Sequence, residues 1–251
     1  PSNSNRIYSG EITVRRAVKT SKNTIAWEIL NEKLTPSIGL EYLKKLNFAK
    51  IVDLDYVPAV ALGGMTYGAS TLEMTAGFAT LENSGIYRDP TCIKSIIKAD
   101  KIFIEVKTEE KVIYKENSSH MMTDVLKSNM ENGTGRNAAL ENHISAGKTG
   151  TTDDNKDGWF IGYTPYYTTG VWVGYDYPKP LDDLYGYTYP SSIWKQYMEV
   201  LHEGLENKEF PSYYIRENSM IETHEVQEGS TEVEEEPLTD AGIDWEDSIL
   251  P

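Results

Sequence analysis

Two short stretches combine side chains able to move a proton and to hold a carboxylate. The first is Ser21-Lys22-Asn23, which sets a hydroxyl two residues from an amide. The second is Lys148-Thr149-Gly150-Thr151-Thr152, in which a cation, hydroxyls and a glycine follow one another. A lysine brings charge and three donors, a threonine hydroxyl donates or accepts, and an asparagine amide does both. Glycine lets a second backbone come close. The Lys148 stretch reads as a strand, followed by the polar turn Asp153-Asp154-Asn155-Lys156-Asp157 and a second strand from Trp159. At a sheet edge, such a strand can pair with an extended peptide while its side chains hold the peptide's carboxylate. Neither stretch is specific by itself. Ser-x-Asn also serves as a turn that breaks a helix, and Lys-Thr-Gly as a strand end before a tight turn.

The elements that must position these residues follow from periodicity. Thr13 is placed to cap a helix with Val14, Ala17 and Val18 on one face; the pattern breaks over residues 19–23 and resumes over 24–30. An amphipathic helix is expected over 37–46 and a glycine-closed loop over 58–64. A helix from Ser70 carries a capping box with Glu73 and stops at Asn83-Ser84-Gly85. Alternating apolar residues over 94–106, followed by 111–114, predict a strand hairpin. A helix over 118–130 leads to three strand-like runs, 143–152, 159–164 and 168–175. Their short connections predict antiparallel pairing, with Trp159 and Trp172 packing on the sheet. A closing helix over 192–205 presents Ile193, Trp194, Tyr197, Leu201 and Leu205.

Composition narrows the function classes. The chain has 251 residues, 39% of them hydrophobic, enough for one large domain. It holds no apolar run long enough to span a bilayer, and its polar opening Pro1-Ser2-Asn3-Ser4-Asn5 is no signal peptide. A single cysteine, Cys92, excludes a disulfide framework. The net charge of −15 is a property of one end: residues 217–251 hold twelve of the 39 acidic residues and none of the 24 basic ones. That leaves −3 for residues 1–216, so nucleic-acid binding by the body is not expected. The chain therefore divides into a globular part, 1–216, and an acidic tail, 217–251, read as disordered, with Ile243-Asp244-Trp245-Glu246 as a small apolar island. Gly147-Lys148-Thr149 imitates the end of a phosphate-binding loop, but position 142 is Asn where the first glycine belongs. The four histidines have no metal-ligand spacing.

Longer flanks join the two stretches. Ile12-Thr13-Val14-Arg15-Arg16-Ala17 precedes Ser21-Lys22-Asn23; Ala61-Leu62-Gly63-Gly64 precedes Thr71-Leu72-Glu73-Met74; Gly133-Thr134-Gly135-Arg136-Asn137-Ala138 precedes Lys148 through Pro165. In this order, over about residues 7–210, they resemble the transpeptidase domain of class A penicillin-binding proteins, the bifunctional peptidoglycan synthases. The resemblance implies an α/β fold of the penicillin-binding transpeptidase (serine β-lactamase-like) type, an antiparallel sheet flanked by helices. It implies a D,D-transpeptidase that cross-links peptidoglycan stem peptides ending in D-Ala-D-Ala through a serine acyl-enzyme and is acylated by β-lactams. No cofactor or metal is expected. The implied location is the outer face of the bacterial cell membrane, with an anchor and a glycosyltransferase domain upstream.

By the same resemblance Ser21 relays a proton, Asn23 holds the substrate's peptide link, and Lys148 adds charge beside the nucleophile and bonds Ser21. Thr149 and Thr151 offer hydroxyls to the terminal carboxylate, Gly150 allows close approach, and the Thr151 N–H serves the oxyanion. The family's nucleophile lies in a Ser-x-x-Lys segment ahead of Ser-x-Asn, and no such segment precedes Ser21. Ser95-Ile96-Ile97-Lys98 falls in a strand, where residues three apart face opposite sides. Ser192-Ile193-Trp194-Lys195 comes after Lys-Thr-Gly, in the wrong order. The expectation is a partial domain without its own nucleophile, inactive alone and completed by an upstream segment of the same protein. A D,D-carboxypeptidase, or a non-catalytic wall-binding or sensor domain of the same fold, are the alternatives.

Overall fold

The computed structural model describes residues 1–4, 6–98 and 101–215; the acidic stretch 217–251, with its apolar island, lies outside them. Thr13 caps α1 (Val14–Lys19), its side chain accepting from the Arg16 N–H. After a sharp turn come α2 (Asn23–Glu28) and a π-helical continuation, Ile29–Leu34. Helix α3 (Pro36–Lys45) starts at Thr35, which caps the Ile38 N–H, with Pro36 in the first turn where its missing N–H costs nothing. The glycine-closed loop is a short 3-10 turn, Pro58–Leu62, ended by left-handed Gly63. Helix α4 (Thr71–Glu82) carries the expected Ser70–Glu73 capping box.

The middle of the chain departs from the sequence reading. Residues 94–114 do not form one hairpin. β2 (Ser95–Lys98) pairs with β3 (Lys101–Glu105), whereas β4 (Glu110–Val112) turns back to pair with β1 (Ile86–Arg88), a strand that the alternation rule did not expose. β1 has three residues and only Tyr87 is buried, too short a run to show a period. Helix α5 (Glu116–Asn132) begins two residues earlier than periodicity suggests.

The sheet that carries the candidate site has the order β5–β6–β7, built from Ala146–Thr151, Asp157–Tyr163 and Thr168–Gly174, antiparallel throughout. Among the described residues β5 is therefore an edge strand. α6 (Tyr189–Leu201) starts three residues before the expected position and stops four short of it. Against one sheet face, Phe160 meets Trp194 edge-on at 5.1 Å between ring centroids, in a cluster with Met130, Ala138, Leu140 and Met198. On the other face Leu126, Ala146 and Tyr163 form a second cluster with Val18, Phe78 and Leu81. There Gly170 lets α4 come in close: a Cβ at this position would stand 2.1 Å from Thr75 Oγ1. A third cluster, around Leu46, Phe48, Ala76 and Tyr87, ties α3 and α4 to the β1–β4 pair.

Candidate active site

Helix α1 ends in two bonds that reverse the chain. The Lys22 N–H donates to Ala17 O at 2.9 Å and the Ser21 N–H to Val18 O at 3.2 Å. This is the Schellman pattern, with Ser21 at the left-handed position that glycine normally fills. Ser21 takes φ 51°, a region that costs an L-residue about 1–2 kcal/mol. The turn aims the Ser21 hydroxyl at β5: Lys148 Nζ donates to Ser21 Oγ at 2.8 Å and to Thr149 O at 2.9 Å. Arg15 holds α1 against α5, with Nη2 on Asp124 Oδ2 at 2.5 Å and Nη1 on both Asp124 O and Ser128 Oγ at 3.0 Å. The lysine is half-buried as a residue, and loss of water around its ammonium lowers it from 10.5 to about 8.

The edge of β5 has a defined polarity. Thr152 N–H donates to Asp157 O at 3.0 Å, and in an antiparallel ladder bonded and non-bonded pairs alternate. Lys148 and Gly150 thus direct their backbone groups to Ile161 and Trp159, whereas Gly147, Thr149 and Thr151 direct theirs to the free edge. Two outward carbonyls are occupied. Gly147 O accepts from Asn129 Nδ2 at 2.8 Å, and Thr149 O accepts from Lys148. The Thr151 N–H points out of the same edge. Gly150 faces Trp159, and a Cβ there would lie 3.2 Å from Trp159 Cβ. Trp159 and Trp172 sit opposite each other across β6–β7 with centroids 6.3 Å apart, and the Trp172 indole N–H donates to Asp157 Oδ1 at 2.8 Å, so both belong to the sheet as expected.

Ser21, Lys148 and Thr149 are brought into one bonded group, with Gly150 and Thr151 next along the strand. Asn23 stays apart from it. As the first residue of α2, it donates Nδ2 to Ser2 O at 3.1 Å and bonds neither Lys148 nor β5. Asn3 anchors that N-terminal segment: it is 2% exposed, with Oδ1 accepting from the Thr24 N–H and hydroxyl at 3.2 Å. Ser95 and Ser192 are exposed, on β2 and α6, and neither is a partner of Lys148.

Three further residues shape the site. Thr134 Oγ1 lies 2.8 Å from Thr149 Oγ1 and donates to Asn129 Oδ1 at 3.3 Å. Asn129 is fully buried on α5, joining Gly147 and Thr134. The Gly186 N–H donates to Thr151 Oγ1 at 2.9 Å. Thr134 stands between two glycines, and Asn129 follows Leu126 on the core-facing stripe of α5, a polar residue where an apolar one belongs; these are readable signals. Gly186, between two tyrosines, has none. The rings of His143 and His202 do meet, with centroids 4.6 Å apart. Their bonds go to Leu205 O, Met198 O and Thr164 Oγ1, which makes them packing groups.

An ammonium on a hydroxyl, beside a strand edge with an outward N–H and two threonine hydroxyls, can shuttle a proton and hold an anionic peptide end. Residues 2–199 match the penicillin binding protein transpeptidase domain. The chain is 34% identical over 203 residues to penicillin-binding protein 4 of Bacillus subtilis (strain 168), covering 80% of this chain and 32% of the relative. It is 34% identical over 213 residues to penicillin-binding protein 1A of Aquifex aeolicus (strain VF5), covering 84% and 28%. The chain thus spans about a third or less of these relatives. Among solved structures it resembles the PonA1 protein of Mycobacterium tuberculosis in complex with penicillin V, with TM-score 0.75 and 25% identity, covering 85% of this chain and 62% of that one. Penicillin-binding protein 1A of Haemophilus influenzae shares the fold, with TM-score 0.74 at 20% identity, covering 84% and 37%.

Proposed function

Because this chain belongs to the penicillin-binding protein transpeptidase family, we propose that it forms one wall of a serine D,D-transpeptidase cleft. In this reading a stem peptide ending in D-Ala-D-Ala lies along the free edge of β5. Thr151 receives its carboxylate, joined by Thr149 once that hydroxyl releases its bond to Thr134, the Thr151 N–H stabilises the oxyanion, and Ser21 passes the proton to the leaving amine under the field of Lys148. The 2.8 Å bond from Lys148 to Ser21 carries the proposal, because it joins a proton-relay hydroxyl to the strand that would hold the substrate. The acyl-accepting serine and the second oxyanion N–H come from a segment outside these 251 residues, since neither Ser95 nor Ser192 reaches Lys148. Asn23 takes the substrate's peptide link by giving up its bond to Ser2. We place the complete protein at the outer face of the cell membrane, joined to an anchor and a glycosyltransferase. No helix of the described residues is long and apolar enough to cross a membrane.

Incubating the complete protein with a fluorescent penicillin should give a covalent adduct, and residues 1–251 alone should give none. An unlabelled complete protein would remove the enzyme reading in favour of a wall-binding domain. Adding an amine acceptor to a D-Ala-D-Ala donor should divert product from hydrolysis to transfer. Hydrolysis alone would make the protein a carboxypeptidase.

A further inference from the structure

The part of the β7–α6 loop that enters α6, residues 181–188, is pinned at several points. Leu181 N–H donates to Asn155 O at 3.1 Å, and Leu184, fully buried, covers Gly158. Tyr185 N–H donates to Thr188 Oγ1 at 3.0 Å, and Asn137 Nδ2 donates to Tyr187 O at 3.2 Å. The rings of Tyr185 and Tyr187 stack at 5.1 Å with 14° between their planes. Between them Gly186 is held by both of its backbone groups. Its carbonyl accepts from the buried Ser191 hydroxyl at 2.7 Å, and its N–H donates to Thr151 Oγ1 at 2.9 Å. Gly186 also lies directly over the β5–β6 ladder. A Cβ there would stand 2.6 Å from Trp159 O, 2.7 Å from Gly150 O and 2.8 Å from Gly150 N, all backbone atoms that cannot give way.

We infer that Gly186 is a positioning residue that makes Thr151 a hydrogen-bond donor and so selects an anionic substrate end; this rests on the reading of β5 as the substrate-holding edge. A threonine hydroxyl has one proton and two lone pairs. With the Gly186 N–H on one lone pair, the proton is turned toward the exposed side of Thr151, and a hydroxyl that already accepts is a stronger donor. The rigid loop holds this arrangement before any ligand arrives, so no reorganisation is needed when a carboxylate binds. An ester lacks the charge that rewards such a donor.

The test measures kcat/KM of the complete protein for a thioester bearing a terminal carboxylate and for its methyl ester. Gly186→Ala, which forces the loop off β5, should lower the acid-to-ester ratio about tenfold, equivalent to about 1.4 kcal/mol. Thr151→Val should lower it similarly, and adding Gly186→Ala to Thr151→Val should change it less than twofold. An unchanged ratio in Gly186→Ala, or losses that simply multiply in the double variant, would overturn the inference. Should Gly186→Ala not fold, Thr151→Val decides, and a wild-type ratio in it overturns the assignment. A wild-type protein that consumes neither thioester and takes no penicillin label refutes the transpeptidase reading itself, a different outcome from a ratio that fails to move.

Discussion

Lys148 Nζ and Ser21 Oγ stand 2.8 Å apart although 127 residues separate them in the chain. The contact joins the end of a two-turn helix to a sheet edge, and it is the axis on which the candidate chemistry turns. Lys148→Met keeps the stem and removes the charge. In the complete protein it should slow penicillin acylation by about two to three orders of magnitude, the range for losing a proton-transfer or charge-stabilising group. A stopped-flow acylation rate equal to wild type would end the role assigned to Lys148.

The same lysine links activity and stability to pH in opposite directions. Its folded value of about 8 lies below the unfolded 10.5, so between those values the unfolded state binds more protons. The contribution of Lys148 to stability should therefore rise as pH goes from about 8 to 10.5, against the opposite slope from Tyr87, Tyr114 and Tyr163, whose burial raises them. Below 8 both states are protonated, and the penalty for desolvating the charge, on the order of 3 kcal/mol, is fully present. Acylation by carboxylate-bearing substrates should instead fall above pH 8, as the ammonium is lost. Thermal unfolding of wild type and Lys148→Met across this window checks the first trend: the stability of wild type relative to the variant should grow between pH 8 and 10.5.

Ser21 occupies the left-handed position that glycine normally fills at a helix end. Ser21→Gly and Ser21→Ala both lose the bond to Lys148, but only alanine keeps the left-handed strain at φ 51°. The glycine variant should be the more stable of the two by about 1 kcal/mol in urea unfolding. Neither should relay a proton. Equal stabilities would show that the turn relaxes without the hydroxyl.

Arg15 acts on Ser21 through the helix that carries it. Both members of its pair with Asp124 are more than a third exposed, so the ion pair is screened, and a single Nη2 bond joins it to the carboxylate. A double-mutant cycle of Arg15→Met and Asp124→Ala should give a coupling of about 0.5–1 kcal/mol. A coupling near zero would leave α1 held by packing and by the Arg15 bonds to Asp124 O and Ser128 Oγ.

Asn129 carries a larger structural load. Replacing it with Leu strands the outward Gly147 carbonyl and frees Thr134, and through it Thr149. An unpaired buried acceptor costs about 1–3 kcal/mol. The variant should lose that much in denaturant titration and weaken carboxylate-dependent acylation as well. Loss of stability with intact acylation would confine Asn129 to scaffolding.

Much of this could be read from residue types along the chain. Local rules place the Thr13 and Ser70 caps, the long helices and the antiparallel run from Lys148 to Gly174, because caps and periodicity depend only on neighbours within a turn or two. The pairing of Ser21 with Lys148 was expected from motif order through family resemblance. Which strand β4 would join was not readable, because three-residue strands show no period and their partner is set by the α3–α4 packing around Tyr87. Nor was the engagement of Asn23 by Ser2, or that of Thr151 by Gly186. The residue types and their order determined the local elements and pointed to the proposed chemistry and to β5 as its strand. Only the tertiary structure decided the direction of each hydroxyl and the free edge of β5, since a hydrogen bond's polarity depends on what the rest of the chain folds against it.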